Sequence, residues 1–199
     1  MKKYENTVYV TGAKVGKPAP KFEMETVMPT GAGTERFGTV SLDDLLDDGK
    51  WVVLYFYPLD FTFVCPTEIQ RFNELNQKFE EKGAKLIAAS TDSVFSHLAW
   101  QEVGDLGKLD HIHASDNAHE VSEAYGILDE EKGVAWRGTF IIAPNGILKA
   151  AHVNHGEGGR NVDEILRTLE VFQNEVAGKL VPCGWKPGNN FVDTDKTEK

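Results

Sequence analysis

Cys65 lies where a very apolar segment ends at Pro58 and a helix is predicted to begin near Pro66. A sulfur near a helix N-terminus faces unpaired backbone N–H groups and the positive end of the helix dipole, and both favour a thiolate over a thiol. The plainer alternative is that Cys65 is a small buried hydrophobic residue. Its position at a strand-to-helix junction favours the reactive thiol.

The only other cysteine is Cys183, far away in sequence. Two cysteines are too few and too far apart for a disulfide-stapled secreted protein and suggest thiol chemistry. Because no apolar stretch like that of a signal peptide follows the lysines near the N-terminus, we expect a cytoplasmic protein. A thioredoxin-type dithiol would need a cysteine three positions after Cys65, where Glu68 stands. A Cys-x-x-Cys redox motif is therefore excluded.

The segments around Cys65 predict alternating strands and helices. Residues 51–57 are almost wholly apolar, as in a strand covered on both faces. Apolar residues recur at helical spacing over residues 66–82, and residues 85–89 are predicted to form a second buried strand. Residues 91–93 are capping residues for a helix that ends near Val103. The resulting pattern is β-α-β-α.

The rest of the chain adds an antiparallel hairpin and a last helix. Two predicted strands, at residues 139–143 and 147–153, flank Pro144-Asn145-Gly146, which is a strong hairpin signal. Residues 161–176 form an amphipathic helix. We therefore predict an α/β, thioredoxin-like fold with a mixed central sheet flanked by helices.

Composition limits the class of protein. The 199 residues, 41% of them hydrophobic, suffice for one full core. We assign residues 1–178 to one domain that starts with a β extension, and the Pro- and Gly-rich residues 179–199 to a C-terminal arm. The formal net charge of -10 is unsuited to nucleic acid, and the sequence has no run of apolar residues long enough to span a membrane.

A long motif surrounds Cys65. It reads Tyr57-Pro58-Leu59-Asp60-Phe61-Thr62-Phe63-Val64-Cys65-Pro66-Thr67-Glu68. Further characteristic segments follow in order at residues 95–100, 137–142, 159–164 and 184–188. Over nearly its whole length, the sequence resembles the peroxiredoxins, specifically the typical 2-Cys group that includes the peroxide-reducing component of alkyl hydroperoxide reductase.

The resemblance implies that Cys65 is the peroxidatic nucleophile and that Pro58, Thr62 and Arg137 surround it. Pro58 can shield the sulfur from solvent. Thr62 can donate its hydroxyl to a peroxide oxygen while accepting a proton, and Arg137 can supply fixed positive charge. Each has a plainer alternative: a strand terminator for Pro58, a local turn bond for Thr62 and a salt bridge at a strand edge for Arg137.

The resemblance also implies that Glu68 and Arg160 support Arg137 through ion pairs near the sulfur. The alternative for Arg160 is a solvated arginine at the start of the last helix. Support of this kind matters because acidity alone has a small effect: lowering the pKa of a free cysteine by about two units from about 8.5 raises its thiolate fraction at pH 7 only about 25-fold. One positioned donor contributes about 10²–10³ in rate.

By resemblance, a second thiol near the C-terminus of the partner subunit resolves the sulfenic acid, and here that thiol is Cys183. Family members mostly read Val-Cys-Pro-Ala-Gly-Trp, whereas this chain reads Leu180-Val181-Pro182-Cys183-Gly184-Trp185, with the cysteine two residues further on. We expect a flexible segment to tolerate that shift. The alternative is a spectator thiol in a one-cysteine mechanism that uses an external thiol.

The resemblance thus predicts a thiol-dependent peroxidase for hydrogen peroxide and organic hydroperoxides, with no metal, haem or flavin of its own. It implies thioredoxin or a flavin-containing disulfide reductase as electron donor, and a homodimer that builds a ring of five dimers. A holdase chaperone is an alternative activity. Five histidines, some of them closely spaced, are interpreted as surface-loop residues, because no cysteine or carboxylate cluster completes a metal site: His111, His113, His119, His152 and His155.

Overall fold

The computed structural model describes residues 12–193. The predicted domain and arm each extend beyond this range, and those outer parts lie outside the described residues. The strands are β1 Glu23–Val27, β2 Phe37–Ser41, β3 Trp51–Phe56, β4 Ala84–Ser90, β5 Ile112–Ser115, β6 Leu128–Asp129, β7 Val134–Ala135, β8 Arg137–Ile142 and β9 Leu148–Asn154. The α-helices are α1 Leu42–Asp47, α2 Cys65–Glu81, α3 Val94–Glu102, α4 Glu120–Ala124 and α5 Val162–Val176, with a 3-10 helix at Gly33–Arg36.

A seven-stranded sheet in the order β2-β1-β5-β4-β3-β8-β9 forms the centre of the fold. β3, β4 and β5 are parallel neighbours, whereas β8 and β9 join the other side of β3 as an antiparallel pair. The predicted mixed sheet, its hairpin and its N-terminal β extension are confirmed. β6 and β7 form a separate two-stranded sheet.

β3 is buried on both faces because helices cover both sides of the sheet. Val53 and Tyr55 point into a core that includes residues of α2 and α5. Val52 and Leu54 point into a second core with residues of α1 and α4. Full burial on both faces explains why this strand is continuously apolar rather than alternating.

The segment between α3 and β8 contains the elements that sequence periodicity missed, namely β5, α4, β6 and β7. Two element starts also differ from prediction. α2 begins at Cys65, so the thiol belongs to the first helical residue. Ser93 alone caps α3 through its side chain, which accepts from the Ser96 amide, whereas Asp92 turns to the loop before Cys65 and accepts from the Asp60 amide.

His111 and His113 are buried, so their interpretation as surface-loop residues is wrong. Each lies within hydrogen-bonding distance of a tyrosine hydroxyl from β3 or its end: Tyr55 Oη is 2.7 Å from His111 Nε2, and Tyr57 Oη is 2.5 Å from His113 Nε2. A buried tyrosine hydroxyl requires such a partner. The two histidines therefore give the buried hydroxyls of Tyr55 and Tyr57 their hydrogen-bond partners.

We predict that the protein loses stability as pH falls below the ordinary histidine value of 6.5. Burial lowers the pKa of His111 to about 3. Below pH 6.5 the unfolded chain therefore binds more protons than the folded one, and His111 alone removes up to about 1.4 kcal/mol per pH unit. Urea unfolding at pH 7.5 and 5.5 should show this decline. His111→Asn should make it shallower, and an unchanged slope would contradict the assignment.

Candidate active site

Cys65 lies at a pocket that opens beside the N-terminus of α2. The side chain is only 1% exposed. The residue before it, Val64, makes no side-chain capping hydrogen bond, so no side chain at this position competes with the sulfur for the positive end of the helix. The cavity has a volume of about 650 Å³, and its lining includes Pro58, Leu59, Thr62, Phe63, Val64, Cys65, Val134, Trp136 and Arg137.

Arg137, the first residue of β8, brings a guanidinium to the sulfur. Its Nη1 lies 3.4 Å from Cys65 Sγ, and its Nε donates to the carbonyl of Gly156 at 2.6 Å. β8 pairs with β3, the strand that leads to the Cys65 loop, so the two elements are fixed to each other. The guanidinium is buried and held at both ends, and it presents a fixed positive charge to the sulfur.

Glu68 follows Cys65 by one helical turn and links two arginines. Its carboxylate accepts from Arg137 Nη1 at 2.5 Å and from Arg160 at three points, the amide at 2.7 Å, Nε at 2.9 Å and Nη2 at 3.0 Å. Burial alone would raise the pKa of Glu68, but the hydrogen bonds and charge of Arg160, together with the charge of Arg137, lower it. Glu68 is therefore ionised at neutral pH.

Arg160 is enclosed by the fold. Its side chain is 2% exposed, and besides Glu68 it donates to the Gly138 carbonyl at 2.9 Å and to Thr139 Oγ1 at 3.0 Å. It precedes α5, whose cap is Asn161, and the alternative of a solvated arginine at that position does not describe it. Two guanidinium groups and one carboxylate leave one positive charge uncompensated, and a thiolate at Cys65 would complete a neutral cluster.

Pro58 and Thr62 both line the pocket, on the loop that joins β3 to Cys65. The Thr62 hydroxyl donates to the carbonyl of Leu59 at 2.9 Å, which is the local turn bond considered above. A hydroxyl that donates one hydrogen bond still has lone pairs to accept others. The contact of the Thr62 hydroxyl with a peroxide, and the shielding of the sulfur by Pro58, stay predictions.

Cys183 lies exposed in a defined turn. Trp185 N donates to the Pro182 carbonyl at 3.2 Å, and Gly184 has φ +70, which suits a type II turn. The Trp185 side chain is buried, and its carbonyl accepts from Arg167 on α5 at 2.7 Å. Both cysteines are free thiols in the single chain, one buried and one exposed.

One cluster of metal-binding residue types occurs in the described part of the chain, formed by Asp60, His97 and His113. Their donor atoms lie within 4.8 Å of one another, so the expectation that no carboxylate joins the histidines is wrong. Each donor atom is already hydrogen-bonded, and Tyr57 Oη lies 2.6 Å from Asp60 Oδ1 and 2.5 Å from His113 Nε2. A metal ion would have to displace that hydroxyl, so the cluster is a hydrogen-bonded network.

Two comparisons of sequence bear on this site. The profile of the AhpC/TSA family matches residues 15–151. The Schizosaccharomyces pombe protein "Peroxiredoxin tpx1" is 46% identical over 191 residues, covering 94% of this chain and 96% of that protein. Within residues 12–193, no helix has the length and apolar character needed to cross a membrane.

Solved structures of two other proteins are similar to this chain over most of its length. The reduced 2-Cys peroxiredoxin of Plasmodium vivax superposes with a TM-score of 0.83 at 38% identity, covering 89% of this chain and 91% of that one. AhpC of Mycobacterium tuberculosis superposes with a TM-score of 0.74, also at 38% identity, covering 81% of this chain and 94% of that one. These neighbours confirm the predicted thioredoxin-like architecture.

Proposed function

Since the chain belongs to the AhpC/TSA family and is a peroxiredoxin, we propose that it reduces hydrogen peroxide and organic hydroperoxides with Cys65 as the nucleophile. The observation that carries this proposal is the buried Cys65 Sγ at 3.4 Å from Arg137 Nη1, at the pocket. A buried sulfur beside a fixed cation at a helix N-terminus is suited to react as a thiolate.

In the first step the thiolate attacks the terminal oxygen of the hydroperoxide. The S–O bond forms as the O–O bond breaks, the sulfur is oxidised to a sulfenic acid, and water or an alcohol leaves after taking up a proton. Arg137 stabilises the negative charge that develops on the oxygens. Thr62 turns its hydroxyl from Leu59 towards the peroxide, and Pro58 keeps solvent from the sulfur.

In the second step Cys183 of the partner subunit attacks the sulfenic acid. A disulfide forms between the subunits and water leaves, and a dithiol donor then returns both cysteines to thiols. We propose thioredoxin or a flavin-containing disulfide reductase as that donor. The same family membership supports a homodimer, assembled as a ring of five dimers, and the sparse cysteines favour the cytoplasm as its place of action.

The role of Cys183 is tested with one equivalent of peroxide and a non-reducing gel. We expect the wild type to form a disulfide-linked dimer, and both Cys183→Ser and Cys65→Ser to remain monomeric on the gel. Trapping with a dimedone probe should detect sulfenic acid in Cys183→Ser but not in Cys65→Ser.

A dimer band that survives Cys183→Ser would refute Cys183 as the resolving residue. The one-cysteine alternative makes a different prediction. It requires that the wild type also gives no dimer and that turnover with a small external thiol is the same in Cys183→Ser as in the wild type.

A further inference from the structure

A chain of buried polar side chains runs from the 3-10 helix to the loop before Cys65. Arg36 Nη2 donates to Gln101 Oε1 at 2.6 Å, and Gln101 Nε2 lies 3.0 Å from His113 Nδ1. His113 Nε2 lies 2.5 Å from Tyr57 Oη, which in turn donates to Asp60 Oδ1 at 2.6 Å. All five residues are buried, and none of them belongs to the cluster around Cys65 Sγ.

Chemistry fixes the direction of every hydrogen bond in this chain. A guanidinium can only donate, so Gln101 receives it with its oxygen and turns its amide nitrogen towards His113. His113 must then accept at Nδ1 and carry its proton on Nε2, from which it donates to Tyr57. The Tyr57 hydroxyl is left to donate to the carboxylate of Asp60. A neutral His113 agrees with its burial and with its nearby positive charges, which lower its pKa well below 6.5.

Asp60, where this chain ends, is held from several elements at once. Its Oδ2 also accepts from Ser96 at 2.7 Å and lies 2.9 Å from His97 Nδ1, both on α3. His97 Nε2 donates to the Ala114 carbonyl at 3.0 Å, which joins the Asp60–His97 pair to β5. The Asp60 amide donates to Asp92 at 2.9 Å.

The residues between Asp60 and Cys65 make their hydrogen bonds to the same loop or to the start of α2, and Phe61 packs against Trp100 of α3. Phe61 has a φ of 54, a left-handed conformation that is uncommon outside glycine. Phe63 is 95% exposed, and the Thr62 hydroxyl bonds only to Leu59 of the same loop. Cys65 is 1% exposed, so its sulfur cannot meet another thiol without leaving this position.

We propose that the Arg36–Gln101–His113–Tyr57–Asp60 chain is a positioning device. It holds Asp60 in place, so that the segment that moves together with Cys65 begins only after Asp60. Residues 61–64 and the first turn of α2 then move when Cys65 leaves its pocket, while everything up to Asp60 stays in place. Tyr57 and His113 are positioning residues, since they act on the loop through Asp60. The proposal rests on the proposed function, which requires the Cys65 sulfur to reach a second thiol.

The strands themselves provide a matched control. Tyr55 and His111 form an equivalent buried pair at 2.7 Å, each two residues earlier in the sequence than its counterpart, Tyr57 or His113. The His111 ring reaches Asn73 on α2, not the loop. Tyr57→Phe and Tyr55→Phe therefore each remove one buried hydroxyl bonded to a histidine, but only Tyr57→Phe cuts the chain to Asp60. Tyr55→Phe retains the ring on which Arg160 rests.

The experiment uses the full chain with Cys183→Ser, in which Cys65 is the only thiol. We measure alkylation of Cys65 by a bulky maleimide and amide hydrogen exchange of residues 61–67. A lost buried hydrogen bond should raise the open population about five- to tenfold, so Tyr57→Phe should accelerate both readouts by about that factor. Tyr55→Phe should change them by no more than about twofold.

Ser96→Ala, which removes a different donor to Asp60 with little change in packing, should act in the same direction and shows the effect if Tyr57→Phe does not fold. Equal acceleration in Tyr57→Phe and Tyr55→Phe, or faster exchange throughout the protein, would overturn the proposal. Neither readout needs a disulfide. A failure of Cys183 as the resolving residue would therefore be seen on the gel and would leave this test valid.

Discussion

Replacing Arg137 with glutamine should slow the reaction of Cys65 with hydrogen peroxide by about 10²–10³-fold. Arg137 Nη1 is the cation at 3.4 Å from the sulfur, and glutamine has neither its charge nor its reach. Glu68 keeps its three hydrogen bonds from Arg160 in this variant, so its carboxylate stays satisfied. The loss should therefore appear in the rate of the peroxide step, with the fold retained.

The measurement is the second-order rate constant of sulfenic acid formation, by stopped flow or by competition with a known peroxidase. Arg71→Gln is the matched control, because Arg71 lies on α2 near the site but pairs with Asp163 and Glu74 at the exposed surface. We expect Arg71→Gln to react within about twofold of the wild type, since exposed ion pairs contribute little. A loss of less than tenfold in Arg137→Gln would contradict the role given to this residue.

Local sequence signals were enough for the elements that carry the nucleophile. The continuous apolar run of β3, the helical spacing of α2 and the turn signal at Pro144-Asn145-Gly146 each depend on neighbouring residues only. The junction that holds Cys65 follows from the first two. For these parts, the fold and the position of the thiol could be predicted from the sequence.

The partners of the thiol could not be derived in that way. Glu68 and Arg160 meet because α2 and the start of α5 pack on the same face of the sheet, and Arg137 joins them because β8 pairs with β3 in one register, with Tyr55 opposite Thr139. Such contacts join residues about 70 to 90 positions apart and leave no periodic pattern. Only the resemblance to a known family indicated them.

β5 was missed for a related reason. Its sequence, Ile112-His113-Ala114-Ser115, is short and half polar, so it lacks the apolar signature of a buried strand. The polar side chain of His113 is tolerated there because strand order brings the Tyr57 hydroxyl to it. A histidine with a buried partner cannot be distinguished from an exposed one until the strand order is known.

The C-terminal arm has more defined contacts than its sequence indicated. Pro and Gly indicated irregular structure correctly, but irregular structure can still pack against the domain. Trp185 is 4% exposed, stacks on Phe191, and donates from its indole to the Asn189 carbonyl at 3.0 Å. These contacts lie within the arm, and the bond from Arg167 to the Trp185 carbonyl at 2.7 Å joins the turn that carries Cys183 to α5.

Glu68→Gln should lower the free energy of unfolding by about 3–5 kcal/mol, which is the second large effect that we expect. Arg137 and Arg160 both donate to this carboxylate, whose side chain is 2% exposed. A glutamine would turn an amide N–H₂ towards one of them and leave two buried positive charges without a counterion. For a domain of this size the melting temperature should fall by roughly 2–4 °C for each kcal/mol.

Glu74→Gln is the matched control, because Glu74 lies on the same helix and pairs with Arg71 at 2.7 Å, but at an exposed surface. It should cost no more than about 0.5 kcal/mol. The wild type and Glu68→Gln should also differ in how the free energy of unfolding changes at low pH. Since the pKa of Glu68 is lowered from 4.5 in the folded protein, the wild type should lose its contribution as pH falls below about that value, and Glu68→Gln should lack this loss. Equal melting temperatures for Glu68→Gln and Glu74→Gln would show that the buried Arg137 and Arg160 do not need the Glu68 carboxylate as a counterion for the stability of the fold.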